Sequence, residues 1–386
     1  MKEFVSVKLL SLPRKIGRGL PYLGKEIRAI ISDCTPFFIA VPRVVHIWFG
    51  TPCNGQCIMC PNGYLIGEAL KKYSSSPFTD DLMLRALEEI HELCGRGTII
   101  SCMGGELTLC RNIIEWAEQA GRLGLDFRFT TNGYTMDEEK ARRFVAAGLF
   151  NIGISIESLN PNINETIRPF PKGTAKTLRC IELLLQERKR QKKHISLNIK
   201  TVLTDVNLES FLDIVRHFGK MDGVICTPQI FEPLKDMSVA TREFLCIKDN
   251  NRLRRVTDQI RRLKREGYAI HATDQALNDM VKQNAADKDH TFTMTNKSVT
   301  MDSSEPPCNI ATDNLWIHEG EVKLCPSFPP IGNMVTDTHV TLKQVWESEM
   351  TRQIRARTRA CRQLCTISCL RRTSLSHKVS TFLKIA

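Results

Sequence analysis

Three cysteines stand close together early in the chain, in the run Cys53-Asn-Gly-Gln-Cys57-Ile-Met-Cys60. This C-x3-C-x2-C spacing allows three thiolates to bind three corners of a cubane iron-sulfur cluster, because thiolate is the ligand that such clusters use. The fourth iron would then have no protein ligand and would stay open to another molecule. The spacing leaves two alternatives open: a zinc site with its fourth ligand elsewhere in the chain, and three ordinary thiols.

A second group of cysteines lies near the C-terminus, at Cys308, Cys325, Cys361, Cys365 and Cys369. Alternating residues at 316–318 and 322–324, with a glycine between them, predict a β-hairpin that brings the first two of these cysteines together. A small charged segment with cysteines at both ends needs a metal centre to replace the core that it lacks. Any one of the five can be spare, and zinc remains the alternative to an iron-sulfur cluster.

A glycine-glycine-glutamate turn, Gly104-Gly105-Glu106, follows the second apolar strand-like segment, as the cysteine run follows the first. With these motifs, residues 43–235 resemble the radical S-adenosylmethionine (radical SAM) superfamily. The resemblance implies that the open iron of a three-cysteine 4Fe-4S cluster binds the amino and carboxylate groups of SAM, and that the turn lies beside the SAM amine. Two residues depart from the family pattern: Met59, where an aromatic residue is frequent, and Leu107, where proline is frequent.

The same resemblance implies further SAM contacts at Thr131, Asn132, Ser155 and Glu157, and an arginine near the SAM carboxylate at Arg168. The first four residues follow two predicted strands. Polar groups at the carboxyl ends of parallel strands share one edge of a sheet, where they are placed to bind a polar ligand. Ordinary turn and capping chemistry is the alternative for these four residues.

Strand and helix patterns alternate in the part of the chain that carries these motifs. Strands are predicted at 44–49, 98–103, 127–130, 152–156, 195–203 and 223–227, and helices at 79–94, 112–123, 137–147, 174–186 and 208–218. Repeated strand-helix units predict a parallel sheet with right-handed crossovers. The predicted fold class is therefore α/β, a partial (β/α)6 TIM-type barrel with a small cysteine-rich C-terminal iron-sulfur domain.

Five parts are predicted along the chain: a basic N-terminal extension (1–42), the radical SAM partial barrel (43–235), a helical connector (236–304), an auxiliary-cluster domain (305–370) and a basic tail (371–386). The fourth part resembles the SPASM or twitch extension of radical SAM enzymes. That resemblance implies one auxiliary 4Fe-4S cluster, held by four of the five C-terminal cysteines.

The net charge of +12 is uneven, since residues 351–386 carry only basic charges. Basic chain ends of this kind bind nucleic acid, anionic lipid or an acidic protein partner. The alternative is that they are ordinary solvent-exposed surface. Nucleic acid is disfavoured because Phe382 is the one aromatic residue in that run. No signal peptide and no stretch of ~18 apolar residues is evident. We therefore expect a cytoplasmic protein, in a reducing compartment, with peripheral membrane contact as an option.

The resemblance implies a radical SAM enzyme that takes one electron from an external donor such as flavodoxin or ferredoxin. SAM would then yield methionine and a 5'-deoxyadenosyl radical, which removes hydrogen from a substrate. A small or lipid-linked metabolite is the favoured substrate. A ribosomally made peptide is the alternative, although only about 42 residues precede the first strand, where many peptide-modifying relatives carry a leader-binding module. A non-catalytic metal scaffold that binds nucleic acid is the rival from another class. No catalytic acid or base is assigned.

Overall fold

The computed structural model describes residues 41–65, 67, 71, 76, 78–233, 236–286 and 310–361. Most of the predicted basic extension, the cysteines at 308, 365 and 369, and the basic tail lie outside the described residues. No helix in the described ranges is long and apolar enough to cross a membrane.

The described strands form one nine-stranded sheet in the order β6-β5-β4-β3-β2-β1-β7-β8-β9. The strands are β1 Val44–Trp48, β2 Ile99–Met103, β3 Asp126–Thr131, β4 Asn151–Ser155, β5 Ser196–Leu203, β6 Val224–Ile230, β7 Asn314–His318, β8 Glu321–Lys323 and β9 Gly332–Asn333. Neighbouring strands from β6 to β7 run parallel, and β8 and β9 add antiparallel pairs. This open parallel sheet confirms the predicted α/β class and partial barrel, with each predicted strand present.

Helices follow the barrel strands, at Asp80–Cys94, Ile113–Leu123, Glu138–Ala146, Pro161–Ile167, Gly173–Arg190 and Ser210–Phe218. Thr79 caps the first helix, since its hydroxyl accepts a hydrogen bond from the Leu82 amide at 3.3 Å. The short helix that begins at Pro161 was not predicted. Its signal is proline at the first helical position after Asn160, whose side chain accepts from the Asn162 amide at 3.0 Å.

The two faces of the sheet differ in polarity. One set of alternating side chains packs with the helices into the apolar core, as Ile47, Phe127 and Leu197 do. Their strand neighbours point to the opposite face, because successive residues of a strand alternate between faces. We call this second face the inner face; it carries His46, Trp48, Ser101, Met103, Arg128, Thr130, Asn198, Lys200, Thr227, Trp316 and His318. The apolar face therefore holds the helices on, and the polar inner face is left for other groups.

The predicted C-terminal hairpin is confirmed as β7 and β8. Glu319 and Gly320 connect the two strands with φ angles of 51° and 92°. Two successive positive φ values are the signature of a type I' turn, which suits the right-handed twist of paired strands. Strand β7 lies parallel to β1, and Arg43 and Asp313 form an ion pair of 2.7 Å just before these two strands. The hairpin thus continues the sheet of the barrel.

Three short elements, the helices Pro61–Tyr64 and Ile310–Asp313 and the 3-10 helix Leu107–Leu109, are also present, and five longer helices complete the described structure. Three fall in the predicted connector, at Val239–Leu245, Asn250–Arg265 and Asp274–Ala286. Two follow the hairpin, at Leu342–Glu347 and Glu349–Ala360. The first of this second pair begins with a capping box, in which the side chains of Thr341 and Gln344 each accept from the backbone amide of the other.

Candidate active site

The cysteine run forms a loop directly after β1, at the carboxyl end of the strand. Cys57 is buried, and Cys53 and Cys60 are half-buried. The Cys60 amide donates to the Cys57 carbonyl oxygen at 2.9 Å, and the Gly55 amide donates to Cys53 Sγ at 3.4 Å. Burial is the main cause that raises the pKa of the Cys53 thiol to about 11; the Gly55 amide opposes the rise, and the nearby Glu106, Cys57 and Cys60 contribute to it. The fold therefore brings the three predicted ligands into mutual electrostatic contact.

The donor set of this loop fits a cubane cluster. In the described ranges, no three His, Cys, Asp or Glu side chains are arranged to hold one metal ion. A cubane does not require such an arrangement, because each thiolate bonds a different iron atom. Burial, opposed by the charge of Arg168, also raises the pKa of the Cys57 thiol. The Cys53 and Cys57 thiols are thus protonated at neutral pH, and ligation has to release their protons.

The turn Gly104-Gly105-Glu106 packs against the backbone that leads into the cysteine loop. The Gly105 amide donates to Thr51 Oγ1 at 2.7 Å, and the Glu106 amide donates to the Pro52 carbonyl oxygen at 3.0 Å. A Cβ atom on Gly105 would lie 2.2 Å from the Thr51 carbonyl oxygen. The close approach of these two segments therefore requires glycine at this position.

Glu106 connects the turn to the end of β3. Its carboxylate is buried; Oε1 accepts from the Thr131 hydroxyl at 2.7 Å, and Oε2 accepts from the Asn132 amide at 2.8 Å. The Asn132 side chain in turn donates to Asn54 Oδ1, in the cysteine loop, at 2.8 Å. Five predicted SAM contacts, Gly104, Gly105, Glu106, Thr131 and Asn132, thus surround the cysteine loop. Both Glu106 oxygens already have protein donors, so its carboxylate orders the site.

Arg168 joins Cys57 to a second buried carboxylate. Its Nε donates to Glu157 Oε1 at 2.8 Å, and its Nη1 donates to Cys57 Sγ at 3.6 Å. The other Glu157 oxygen accepts from the Val202 amide at 2.7 Å. Burial raises the pKa of Glu157, while the guanidinium opposes this. Burial also disfavours the charged guanidinium, but Cys57 and Glu157 more than offset this and raise its pKa. Arg168 thus places a positive charge beside the cysteine loop.

Two of the five C-terminal cysteines are described. Cys325 is buried after β8, and Cys361 is half-buried immediately after the helix that ends at Ala360. Burial raises the pKa of the Cys325 thiol against hydrogen bonds from Ser327, and Cys361 acts in the same direction as burial. The arrangement fits a shared metal centre, although the other three predicted ligands lie outside the described residues.

Sequence reasoning noted Asn198 and Thr130 as polar residues of the strands but did not identify the inner face as a whole. Parallel strands covered on both faces read as continuous apolar runs. Strand β5 instead reads Ser-Leu-Asn-Ile-Lys, in which polar and apolar residues alternate. That alternation in a predicted parallel strand was the available signal for a polar barrel interior, and it would have identified Asn198 and Lys200 as lining residues.

His46, on the inner face, predicts a loss of stability in acid. Its ring is buried, stacks on Trp316 at a centroid distance of 4.2 Å, and shares a 3.1 Å hydrogen bond with Asn314. Burial, aided by the charge of Lys200, lowers its pKa to about 4 from 6.5. Between pH 6.5 and pH 4, His46 is protonated in the unfolded chain but stays neutral in the folded chain. Stability present above pH 6.5 therefore falls as the pH drops toward 4, by at most about 3 kcal/mol.

Urea unfolding at pH 7 and pH 5 checks this expectation. His46→Gln keeps a donor for Asn314 but cannot titrate, so the difference in unfolding free energy between the two pH values should shrink by about 1–2 kcal/mol. His271 and His318 also have pKa values lowered by burial, so part of the pH dependence should remain. An unchanged difference in the His46→Gln variant would contradict the prediction.

Known proteins resemble this chain in sequence and in fold. Residues 49–218 match the family model of the Radical SAM superfamily. A GTP 3',8-cyclase from Aeromonas hydrophila subsp. hydrophila is 32% identical over 173 residues, which make up 43% of this chain and 48% of that protein. The chain thus spans about half the length of this curated relative.

Two solved structures share the overall fold. SuiB of Streptococcus suis, bound to its precursor peptide SuiA, aligns over 86% of this chain and 70% of its own, with 15% identity and a TM-score of 0.55. Native anSMEcpe with bound AdoMet aligns over 80% of this chain and 82% of its own, with 18% identity and a TM-score of 0.56. Together with the family match, these likenesses confirm the predicted domain and its barrel fold.

Proposed function

We propose that this chain, which carries a radical SAM domain, is an enzyme that cleaves SAM reductively and removes hydrogen from a substrate. Cys53, Cys57 and Cys60 would hold the SAM-binding 4Fe-4S cluster. When bound, the cluster and SAM supply the electron transfer and the 5'-deoxyadenosyl radical. The observation that carries the proposal is the close packing of the three-cysteine loop against Arg168 and the Gly104-Gly105-Glu106 turn.

The protein's own residues would position and shield the reacting groups. The Gly105 contact with Thr51 fixes where the cysteine loop leaves β1, and Glu106 fixes the end of β3 beside it. Arg168 stabilises the negative charge of a bound Cys57 thiolate, since an opposite charge at this distance favours the ionised form. SAM contacts at Ser155 and Glu157, and a SAM carboxylate contact at Arg168, remain proposals. Glu157 is fully buried, so it would act through Arg168.

The C-terminal cysteines would hold one auxiliary 4Fe-4S cluster. The electrostatic influence of Cys361 on the buried Cys325 thiol supports this part of the proposal. Cys308, Cys365 and Cys369 would supply the remaining ligands, with one thiol to spare. An external one-electron donor such as flavodoxin or ferredoxin would reduce the SAM-binding cluster. Free thiols throughout the described residues suit the reducing cytoplasm that we propose as the location.

A small metabolite, free or lipid-linked, is the proposed substrate class. The relative named GTP 3',8-cyclase, by its name, acts on a small anionic nucleotide, which supports a small charged substrate. A peptide is the second candidate, because SuiB was solved with a precursor peptide.

Anaerobic reconstitution with iron and sulfide, followed by SAM and a strong reductant, tests the proposed function. Wild type should release 5'-deoxyadenosine, and Cys57→Ala should reduce the yield to the detection limit, because the cluster loses one of three ligands. Cys94→Ala is the matched control, since it removes a buried thiol from the end of an outer helix. A wild type without product, or equal yields from wild type and Cys57→Ala, would refute the proposal. A nucleic-acid scaffold would instead show steep salt-dependent binding and no SAM turnover.

A further inference from the structure

Lys200 reaches across the middle of the inner face. Its Nζ donates to the Thr130 hydroxyl at 2.9 Å, although the two residues are on strands separated by β4. Gly153 of β4 lies between them, and a Cβ atom there would lie 2.6 Å from Thr130 Oγ1 and 3.1 Å from Lys200 Cε. The missing side chain thus makes room for the ammonium group. Lys200 is also the register partner of Ser155, at the strand end where the cofactor is proposed to bind.

Hydrogen-bond donors surround this ammonium group. Asn198 lies two residues before Lys200 on the same face of β5, and its Oδ1 accepts from the Thr227 hydroxyl at 2.6 Å. Its side-chain amide also carries an NH2 group, which is a donor. The guanidinium of Arg128 lies on β3 and is paired with Asp126 through Nε at 3.0 Å. Two cationic side chains and an amide therefore lie on the inner face.

Three basic side chains act on His271, and two of them lie on the inner face. Burial lowers the pKa of His271, and the charges that lower it further are those of Arg128, Lys200 and Lys264. A field made by cations disfavours one more positive charge and attracts negative charge.

A buried donor on the same face also lacks a protein partner. In the described part of the chain, the indole Nε1 of Trp316 and Nδ1 of its stacked neighbour His46 are buried without a hydrogen bond. A buried indole N–H normally finds an acceptor, because leaving it unpaired costs its full desolvation penalty. An oxygen of a bound molecule, or of a water beside it, would satisfy this donor.

We propose that the inner face binds an oxyanion group of the substrate, a phosphate or a carboxylate, with Lys200 as its principal cation and Asn198 and Arg128 as additional donors. The inference rests on the proposed function, since it places the substrate beside the SAM site, and it names the substrate class for that site. The positive field and the donors face inward, whereas the apolar outer face is covered by helices. The reacting carbon would lie nearer the strand ends than the anion does.

Isothermal titration of the reconstituted full-length protein in the presence of SAM tests this site, with inorganic pyrophosphate and malonate as probes and glycerol as the neutral control. Wild type should bind at least one of the two anions. Lys200→Met should weaken that binding by about 10- to 100-fold, the range expected for a lost hydrogen bond to a charged group. Lys200→Arg should recover most of it. The preferred probe distinguishes a phosphate-bearing from a carboxylate-bearing substrate.

Lys189→Met is the matched control, because Lys189 is an exposed lysine on the outer helix Gly173–Arg190 and its loss changes the net charge equally. Equal weakening in Lys189→Met and Lys200→Met would show non-specific attraction and overturn the proposal, as would a wild type that binds neither anion. An equal loss of SAM affinity in Lys200→Met would assign the residue to SAM and also overturn it. The 5'-deoxyadenosine assay of the wild type reports on the proposed function separately, since anion binding requires no SAM cleavage.

Discussion

Replacing Arg168 by methionine is expected to destabilise the folded protein by about 3–5 kcal/mol, the usual cost of removing one partner of a buried ion pair. The Glu157 side chain is completely buried, and its ion pair with Arg168 measures 2.8 Å. Without the guanidinium, only the Val202 amide would remain to stabilise that carboxylate. Glu157 would then have to take up a proton or open the structure to water. Urea unfolding of the reduced, cluster-free protein measures the effect.

A double variant separates the charge from the packing. Glu157→Gln removes the negative charge but keeps an oxygen that can accept from Val202. Combined with Arg168→Met, it should recover about half of the lost stability, because no uncompensated buried charge remains. The single variant should also bind cluster iron less tightly, since it lacks the cation beside Cys57. An Arg168→Met protein as stable as wild type would show that the pair contributes little.

Gly105→Ala is expected to have the second large effect, a loss of about 3 kcal/mol in stability together with most of the reconstituted cluster iron. The added Cβ would lie 2.2 Å from the Thr51 carbonyl oxygen and 2.6 Å from that of Pro52. Both obstacles are backbone atoms, so relief requires the cysteine loop to move, and overpacking of this kind costs about 1–3 kcal/mol or more. Iron content per chain and urea unfolding provide the two measurements.

Gly121→Ala is the control for the same chemical change at a permissive site. Gly121 lies in the helix Ile113–Leu123, and its added Cβ would meet only the Ala147 carbonyl oxygen, at 3.6 Å. It should raise stability by about 0.5–1 kcal/mol, because alanine is the better helix former. Full iron content in Gly105→Ala would mean that the loop tolerates displacement.

Local patterns were sufficient to predict the barrel. The alternation of apolar strands and amphipathic helices determines β1 to β6, and side-chain capping places helix starts at Thr79 and Asp137, where the structure has them. The C-terminal hairpin was also predicted from a local signal, the glycine at position 320. Few residues other than glycine adopt the φ of 92° that this turn position has. These features depend on interactions within a few residues, which a single sequence reveals.

The partners within the site could not be predicted in this way. The contacts of Glu106 with Thr131 and Asn132 join residues about 25 positions apart, and those of Arg168 with Cys57 join residues 111 positions apart. Sequence motifs identified each residue as a candidate for binding SAM. They did not reveal that two carboxylates are occupied by protein donors, because that depends on how neighbouring strand ends meet in space.

Strand β1 pairs with two strands that are far apart in sequence. One is β2, which belongs to the barrel, and the other is β7, which belongs to the C-terminal hairpin. A protein cut between these parts would leave the backbone amides and carbonyls along one side of β1 unpaired. Bare strand edges invite pairing with other chains. Removal of the C-terminal hairpin would therefore endanger the strand from which the cysteine loop emerges, and β1 and the hairpin are best regarded as parts of one folding unit.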